Sequence, residues 1–244
     1  MNFKLIIEYD GRDFRGWQIQ KNERSVQGDI ENALEMMCRQ KITLHASGRT
    51  DAGVHALGQC AHFRCETRLT ADIFLKGLNS LLRDDIVIRE CTEMPENFHA
   101  RFDVRNKIYQ YRILNTPLPS AIDRGYSWHI RKKLDILSMQ TAADHLPGKH
   151  DFKAFEGSGS PRAHTVRSIH KAEFEKNEKG YIIFKIQADG FLRYMVRNIV
   201  GTLVNVGLGR ITAADFRQIL LSGDRSQAGA TAPPQGLFLL QVNY

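Results

Sequence analysis

A short loop between two predicted strands constrains the fold of this chain most strongly. Residues 49–56, R-T-D-A-G-V-H-A, place one carboxylate between a guanidinium and an imidazole. Glycine adopts backbone angles that other residues avoid, so the glycines on either side of Asp51 allow a tight turn with Asp51 at its tip. Apolar and polar residues alternate at Ile42 and Leu44 before the loop and over Gln59 to Phe63 after it. The sequence therefore predicts a strand, a loop that presents Asp51, and a second strand.

The elements around this loop predict an α+β unit. Phe3 to Tyr9 alternates like a half-buried strand, and Ser25 can cap a helix with apolar residues at helical spacing. Thr70 is expected to cap a second helix, and Ile86 to Cys91 reads as a further strand. The order strand, helix, strand, strand, helix, strand is that of a split βαβ or ferredoxin-like unit.

The second half of the chain repeats this rhythm of strands and helices. The predicted elements are a strand Tyr109–Leu114, a helix Asp135–Leu146, a hairpin of Ile169–Glu175 and Tyr181–Ala188, a helix Leu192–Val206, a helix opened by a capping box at Thr212, and a strand Gly236–Val242. We predict domains 1–105 and 106–244, two related α+β halves that share one continuous sheet. The segment Gly157-Ser158-Gly159-Ser160 lacks the Gly-Lys-Ser/Thr ending of a phosphate-binding loop, so no nucleotide site is predicted there.

The composition limits the cellular compartments and the kinds of binding partner that are expected. The chain has no apolar run of about eighteen residues, so no membrane span is expected. Acidic Glu8 lies too close to the N-terminus for a signal peptide, and a cytoplasmic protein is therefore expected. The four cysteines show no C-x-x-C pairing and no histidine at zinc-finger spacing, which favours reduced thiols and predicts no metal site. A net charge of +7 suits a polyanionic partner.

Four features of the sequence allow a structural and a functional interpretation. Asp51 could serve only as a turn residue, and Tyr109 could be a core aromatic beside Tyr111. Arg197 falls among apolar residues on a helix, where a buried cation needs a partner, or it lies on the surface one step around the helix. Basic residues interleaved with aromatics between Asp10 and Arg24 can grip a phosphate backbone or form an ordinary solvated loop.

The loop motif resembles, residue for residue, the signature of the TruA family of tRNA pseudouridine synthases. Similar motifs follow in order along the chain: residues 9–11 (YDG), 16–20 (GWQIQ), 25–27 (SVQ), 98–102 (FHARF), 107–111 (KIYQY), 195–201 (MVRNIVG) and 230–237 (ATAPPQGL). The segment from Pro117 to Thr165 resembles the family least.

The resemblance implies a fold, a reaction and partners. It implies the pseudouridine synthase fold, with two RNA-recognition-motif-like halves and the active-site cleft between them. It implies an isomerase that converts uridine to pseudouridine at tRNA positions 38, 39 and 40 in the anticodon stem-loop, without a cofactor. It also implies a homodimer in which one tRNA spans both subunits.

The resemblance further implies roles for individual residues. Asp51 is expected to be the catalytic residue, Tyr109 to stack against the uracil and move a proton, and Arg197 to pair with Asp51. Arg49 is expected to flip the target base or hold its place in the stack. Further candidates for phosphate contacts are Arg12, Arg15, Lys21, Arg24, Arg101 and Arg105. His55 is expected to be a structural hydrogen-bonding residue of the loop.

Two other functions are compatible with the residues. The first is a catalytically silent RNA-binding or RNA-folding module on the same fold, and a product assay separates it from a synthase. The second is a hydrolase that uses Asp51 as nucleophile on a phosphorylated metabolite. Such chemistry normally needs a metal held by further carboxylates, and no second acidic cluster accompanies Asp51.

Overall fold

The computed structural model describes residues 1–157, 159 and 164–244. Among the described residues, the strands are β1 Asn2–Tyr9, β2 His45–Ala46, β3 His55–Arg64, β4 Ile86–Met94, β5 Asn106–Leu114, β6 Trp128–His129, β7 Gly148–Asp151, β8 Val166–Lys176, β9 Tyr181–Ala188 and β10 Leu237–Asn243. The α-helices are α1 Val26–Cys38, α2 Ala71–Leu81, α3 Ile136–Ala143, α4 Met195–Gly207 and α5 Ala213–Ser222. Ser158 and Ser160, on which the exclusion of a nucleotide-binding loop partly depended, lie outside the described residues.

The chain divides into two compact units. Unit 1 contains Met1–Arg105 together with Phe238–Tyr244, and unit 2 contains Asn106–Leu237. Each unit combines a sheet with helices, so the predicted α+β class is confirmed. No helix within the described ranges is long and apolar enough to cross a membrane.

The sheet of unit 1 has the strand order β4-β1-β3-β10, with β2 paired to β3. β1 lies antiparallel to both β3 and β4, and β10 runs parallel to β3, with Phe238 opposite His55. The inward residues of β1 contact the helices; the rings of Phe3 and Phe74 are 4.9 Å apart. α2 packs on β4 and against α1, so one face of this sheet is buried.

Local sequence explains the helices of unit 1 but not all of its strands. The Ser25 side chain accepts a hydrogen bond from the Gly28 N–H, which is the predicted cap of α1. Thr70 precedes α2 as expected, yet its side chain makes no capping bond. The strand predicted around Ile42 and Leu44 is wrong at both residues: β2 contains only His45 and Ala46, and the Leu44 N–H donates to Glu31 Oε1 instead of to a neighbouring strand.

The sheet of unit 2 has the strand order β5-β9-β8-β7, with β6 paired to β5. β5, β9 and β8 are antiparallel, and the predicted hairpin is β8–β9. α3 packs on α4 and α5, and their buried residues surround Phe155 and Phe216, which are stacked with ring centroids 5.7 Å apart. The sequence did not predict β6 and β7, which are short and lack a run of alternating residues.

The start of α4 differs from the sequence-based prediction. The helix begins at Met195, three positions after the predicted Leu192. Tyr194 interrupts the pattern because it takes the left-handed conformation, with φ 61° and ψ 0°. This bend fixes the end of the helix that carries Arg197.

Candidate active site

The Asp51 loop is held at both ends by buried hydrogen bonds. Before Asp51, the Ser47 N–H donates to the Cys60 carbonyl at 2.8 Å, and the Trp17 N–H donates to the Thr50 carbonyl at 3.1 Å. After it, the Gly53 N–H donates to the Phe14 carbonyl at 3.3 Å. Asp51 itself is half-buried, so the loop presents a carboxylate from a fixed backbone.

Close backbone approach to the loop requires glycine at two positions. A Cβ on Gly11 would lie 2.0 Å from the Val54 carbonyl oxygen. Gly16 has φ +99°, and a Cβ there would lie 2.7 Å from the Thr50 carbonyl oxygen. The segment that follows β1 is therefore packed directly against the loop.

Buried side chains of β1 and β3 form hydrogen bonds with the Asp51 loop. The Tyr9 hydroxyl and the Thr50 hydroxyl are hydrogen-bonded at 2.7 Å. Ser47 Oγ donates to Gln59 Oε1 at 2.8 Å, and Gln59 Nε2 donates to the Gly48 carbonyl at 3.0 Å. Residues on both sides of Arg49 are thus fixed by the neighbouring strands β1 and β3.

His55 has the structural role that the sequence predicted. The Gly11 N–H donates to its Nδ1 at 3.1 Å, and the imidazole stacks on Phe238 with centroids 4.6 Å apart. Asp10 Oδ1 lies 3.2 Å from the same nitrogen. His55 therefore connects the β1–α1 segment, β3 and β10, beneath the Asp51 loop.

The predicted phosphate contacts of unit 1 differ in their surroundings. Arg49, Lys21 and Arg101 are exposed. Arg12 Nη2 lies 2.6 Å from Asp10 Oδ2. Arg24 donates to Asp29 and Asp85, and the bonds to Asp85 above all raise the pKa of its guanidinium.

Tyr109 lies on β5 in unit 2. Its ring is buried and meets Phe191 edge to face, with centroids 5.0 Å apart. Tyr111 shares this face and donates its hydroxyl to the Pro233 carbonyl at 2.7 Å. Burial raises the pKa of Tyr111, which therefore stays protonated. Of the two tyrosines, Tyr111 anchors the segment before β10.

Arg197 lies on α4, half-buried, as the spacing of the apolar residues predicts. Its Nε donates to the Ala232 carbonyl at 2.7 Å, and the Ala232 N–H donates to the Arg197 carbonyl at 3.1 Å. The guanidinium carbon lies 5.0 Å from the centroid of the Tyr194 ring. The left-handed Tyr194 and the segment around Ala232 thus orient this cation.

The structure places the predicted residues in two groups. Asp51, Arg49 and the exposed basic residues lie in unit 1, and Tyr109 and Arg197 lie in unit 2. Sequence reasoning missed the supporting pair of Tyr9 and Thr50. Tyr9 and Thr50 each lie within a motif, at residues 9–11 and 49–56, but nothing in either pattern indicated that their hydroxyls would bond each other. Within the described part of the chain, no three His, Cys, Asp or Glu side chains are placed to hold a metal ion.

Comparisons with known proteins cover nearly the whole chain. A family model described as tRNA pseudouridine synthase matches residues 5–103 and 142–244. The tRNA pseudouridine synthase A of Acetivibrio thermocellus is 47% identical over 243 residues, which cover 100% of this chain and 99% of that protein. The protein of the same name from Ruminiclostridium cellulolyticum is 44% identical over 241 residues, 99% of this chain and 98% of that one.

Among solved structures, a Nop10–Cbf5 complex of an archaeal box H/ACA sRNP is similar at a TM-score of 0.32 and 10% identity. The match covers 82% of this chain and 53% of that chain. A similarity this weak supports no conclusion about the fold or function of this chain. The family model contains Asp51 and Arg197 within its matched ranges, whereas Tyr109 lies between them and is covered by the full-length relatives.

Proposed function

Because the chain belongs to the tRNA pseudouridine synthase family, we propose that it isomerises uridine to pseudouridine in the anticodon stem-loop of tRNA, with Asp51 as the catalytic carboxylate. The enzyme is an isomerase, and its targets are the three positions that the motif resemblance implies. The loop that holds Asp51 carries this proposal, because its backbone is fixed on both sides and Asp51 at its tip is only half-buried.

The reaction breaks the bond between N1 of uracil and C1′ of ribose, turns the base, and joins C5 to C1′. The proton lost from C5 balances the proton gained at N1, so the stoichiometry requires neither a redox cofactor nor an energy source. Asp51 supplies the anionic group that faces C1′ or C6 of the nucleoside. A site that excludes water keeps the detached base in place until the new bond forms.

Other side chains have supporting roles in this proposal. Tyr109 stacks on the uracil and moves a proton at C5 or C2′, and its edge-to-face contact with Phe191 fixes the plane of its ring. Arg197 pairs with the Asp51 carboxylate and orients it; its contacts with Ala232 and Tyr194 hold the guanidinium in place. Arg49, exposed two residues before Asp51, holds the place of the extruded base.

Phosphate contacts are assigned to basic side chains that carboxylates do not already hold. Lys21 and Arg101 are exposed and suit this role. A phosphate at Arg12 or Arg24 would first have to displace Asp10, or Asp29 and Asp85. We further propose a homodimer in which one tRNA contacts both subunits, acting in the cytoplasm, where tRNA is used.

The test measures pseudouridine in an unmodified tRNA with uridines at the proposed positions, with metal chelated and no cofactor added. Wild type is expected to form product, and Asp51→Ala and Asp51→Asn to lose at least about 10³-fold in rate, as expected for a group that acts on the reacting atoms. Asp84→Asn, which removes an exposed carboxylate elsewhere in unit 1, is the matched control and should keep the wild-type rate.

Each contrary result has a separate meaning. Full activity in Asp51→Asn would show that another group performs the reaction. No product from wild type, with tRNA still bound, would instead favour the silent RNA-binding module. Release of phosphate from a phosphorylated metabolite that requires both added metal and Asp51, with no pseudouridine formed, would favour the hydrolase class.

A further inference from the structure

We propose that Tyr9 is a positioning residue for Asp51, acting through the hydroxyl of Thr50. This inference rests on the proposed function, because it presumes that Asp51 acts on the nucleoside. Tyr9 is the last residue of β1 and is 3% exposed, and Thr50 directly precedes Asp51 and is 7% exposed. Tyr9 has no role in the chemistry proposed above, so its polar group needs another explanation.

Thr50, like Ser47, is fixed by both its backbone and its side chain, and it directly precedes Asp51. Its carbonyl accepts from the Trp17 N–H at 3.1 Å, and its hydroxyl bonds Tyr9 at 2.7 Å. These two bonds define the position of the peptide that leads into Asp51. A shift at Thr50 therefore moves the Asp51 carboxylate directly.

The Tyr9 ring is itself locked in place. It packs against Trp17, with ring centroids 6.1 Å apart, and Trp17 is 2% exposed. Gln59, which is fully buried, bonds Ser47 and the Gly48 carbonyl, three and two residues before Thr50 on the same arm of the loop. The Tyr9 hydroxyl thus projects from a rigid sheet toward a loop whose other contacts are also fixed.

The Tyr9 hydroxyl is suited to positioning a neighbour and not to a role that requires a charged group. Burial raises the pKa of Tyr9, and the hydrogen bonds from Thr50 and Gln59 only partly oppose this effect. The group therefore remains a neutral O–H throughout the range in which enzymes are assayed. A neutral buried hydroxyl can orient the Thr50 hydroxyl through their hydrogen bond, and it cannot itself serve as a base.

The variants separate the hydrogen bond from the packing. Tyr9→Phe keeps the ring against Trp17 and removes only the hydroxyl, and Thr50→Val keeps the shape of Thr50 and removes the other partner. Thr50→Ser retains the hydroxyl and is the conservative rescue. Tyr244→Phe is the matched control, because Tyr244 also lies in unit 1 and donates one bond of 2.7 Å, to the Ala100 carbonyl.

The readouts are the single-turnover rate of pseudouridine formation at saturating enzyme, the Kd for tRNA, and the melting temperature. Tyr9→Phe and Thr50→Val should each lower the rate by about 10-fold to 100-fold, as displacement of a reacting group does. Their Kd values should stay within about twofold of wild type. The double variant should be no slower than the slower single variant, because both remove the same bond.

Thr50→Ser should keep the rate within about twofold, and Tyr244→Phe should lower the melting temperature without changing the rate. If Tyr9→Phe behaves like Tyr244→Phe, the hydroxyl is only structural and the inference is overturned. If the two single losses multiply in the double variant, Tyr9 does not act through Thr50. If wild type forms no pseudouridine, the proposed function fails, and this inference falls with it.

Discussion

At the residue scale, three histidines of unit 1 form a cluster around the buried ring of His62. The rings of His62 and His99 are 4.6 Å apart, and those of His62 and His45 are 5.2 Å apart. His62 is 1% exposed, and its Nδ1 accepts a hydrogen bond from the Ala100 N–H. Burial, reinforced by the charge of the neighbouring histidines and Arg64, lowers the pKa of His62 to about 4.

This cluster predicts that the protein loses stability in mild acid. An unfolded histidine titrates near pH 6.5, so between about pH 4 and 6.5 the unfolded chain binds a proton that folded His62 does not. Its contribution to stability is therefore complete above about pH 6.5 and is lost as the pH falls toward 4, with a slope of at most about 1.4 kcal/mol per pH unit. Denaturant unfolding at several pH values measures this slope.

His62→Asn is the matched variant for this measurement. The asparagine Oδ1 can replace Nδ1 as the acceptor for the Ala100 N–H, and it does not titrate. The slope between pH 5 and 6.5 should be shallower than in wild type, with the remainder due to groups such as His99, whose pKa is also lowered. An unchanged slope would show that His62 does not control the acid response.

At the scale of elements, two helices begin with the same residue type and differ in the capping bonds that this residue makes. Thr212 caps α5: its Oγ1 accepts from the Asp215 N–H, and Asp215 Oδ2 accepts from the Thr212 N–H. Thr70 occupies the same position before α2, is equally exposed, and makes no side-chain bond. The pair therefore isolates the energetic value of the capping bond.

Thr212→Ala should lower the free energy of unfolding by about 1 kcal/mol, the usual cost of losing an N-cap side chain. Thr70→Ala should cost only a few tenths of a kcal/mol, because no capping bond is lost. Chemical denaturation of the two variants beside wild type makes the comparison. Equal losses would mean that the threonine conformation, and not the bond, stabilises the helix start.

These elements also show which parts of the fold the sequence can predict. The caps at Ser25 and Thr212, the amphipathic helices and the β8–β9 hairpin depend on residues close in sequence, so the local pattern was sufficient for them, whereas Thr70 precedes α2 without the capping bond. β2 begins after the predicted Ile42 and Leu44, because the Leu44 N–H bonds Glu31 on α1 and not a neighbouring strand. The parallel pairing of β10 with β3 joins Phe238 to His55, and nothing near either residue indicates it.

The candidate site also has parts that the local sequence predicts and parts that depend on contacts made on folding. Asp51 and its loop are predicted by a motif, because glycine and a carboxylate in a tight turn form a local pattern. The residues that fix the loop come from β1 and from the segment that follows it, as Tyr9 and Trp17 show. Such contacts exist only after folding, so the sequence predicted the loop that presents Asp51 and not the contacts that support it.

At the scale of the whole molecule, the net charge of +7 is the property most relevant to tRNA. Charge of this sign attracts a polyanion, and each phosphate that a basic side chain neutralises releases counterions. The affinity should therefore fall as salt is raised. Side chains already held by carboxylates contribute less to this effect than exposed ones, because their charge is locally compensated.

This distinction predicts the effect of single substitutions on salt dependence. Lys21→Ala and Arg101→Ala should each weaken tRNA binding and reduce the slope of log Kd against log salt concentration by about 1, since each removes one phosphate contact. Arg89→Ala is the matched control: Arg89 is also exposed in unit 1, but its Nη2 lies 2.6 Å from Glu8 Oε2. Its slope should equal that of wild type. If all three variants lower the slope alike, tRNA responds to the total charge of the protein, and the assignment of phosphate contacts to Lys21 and Arg101 is wrong.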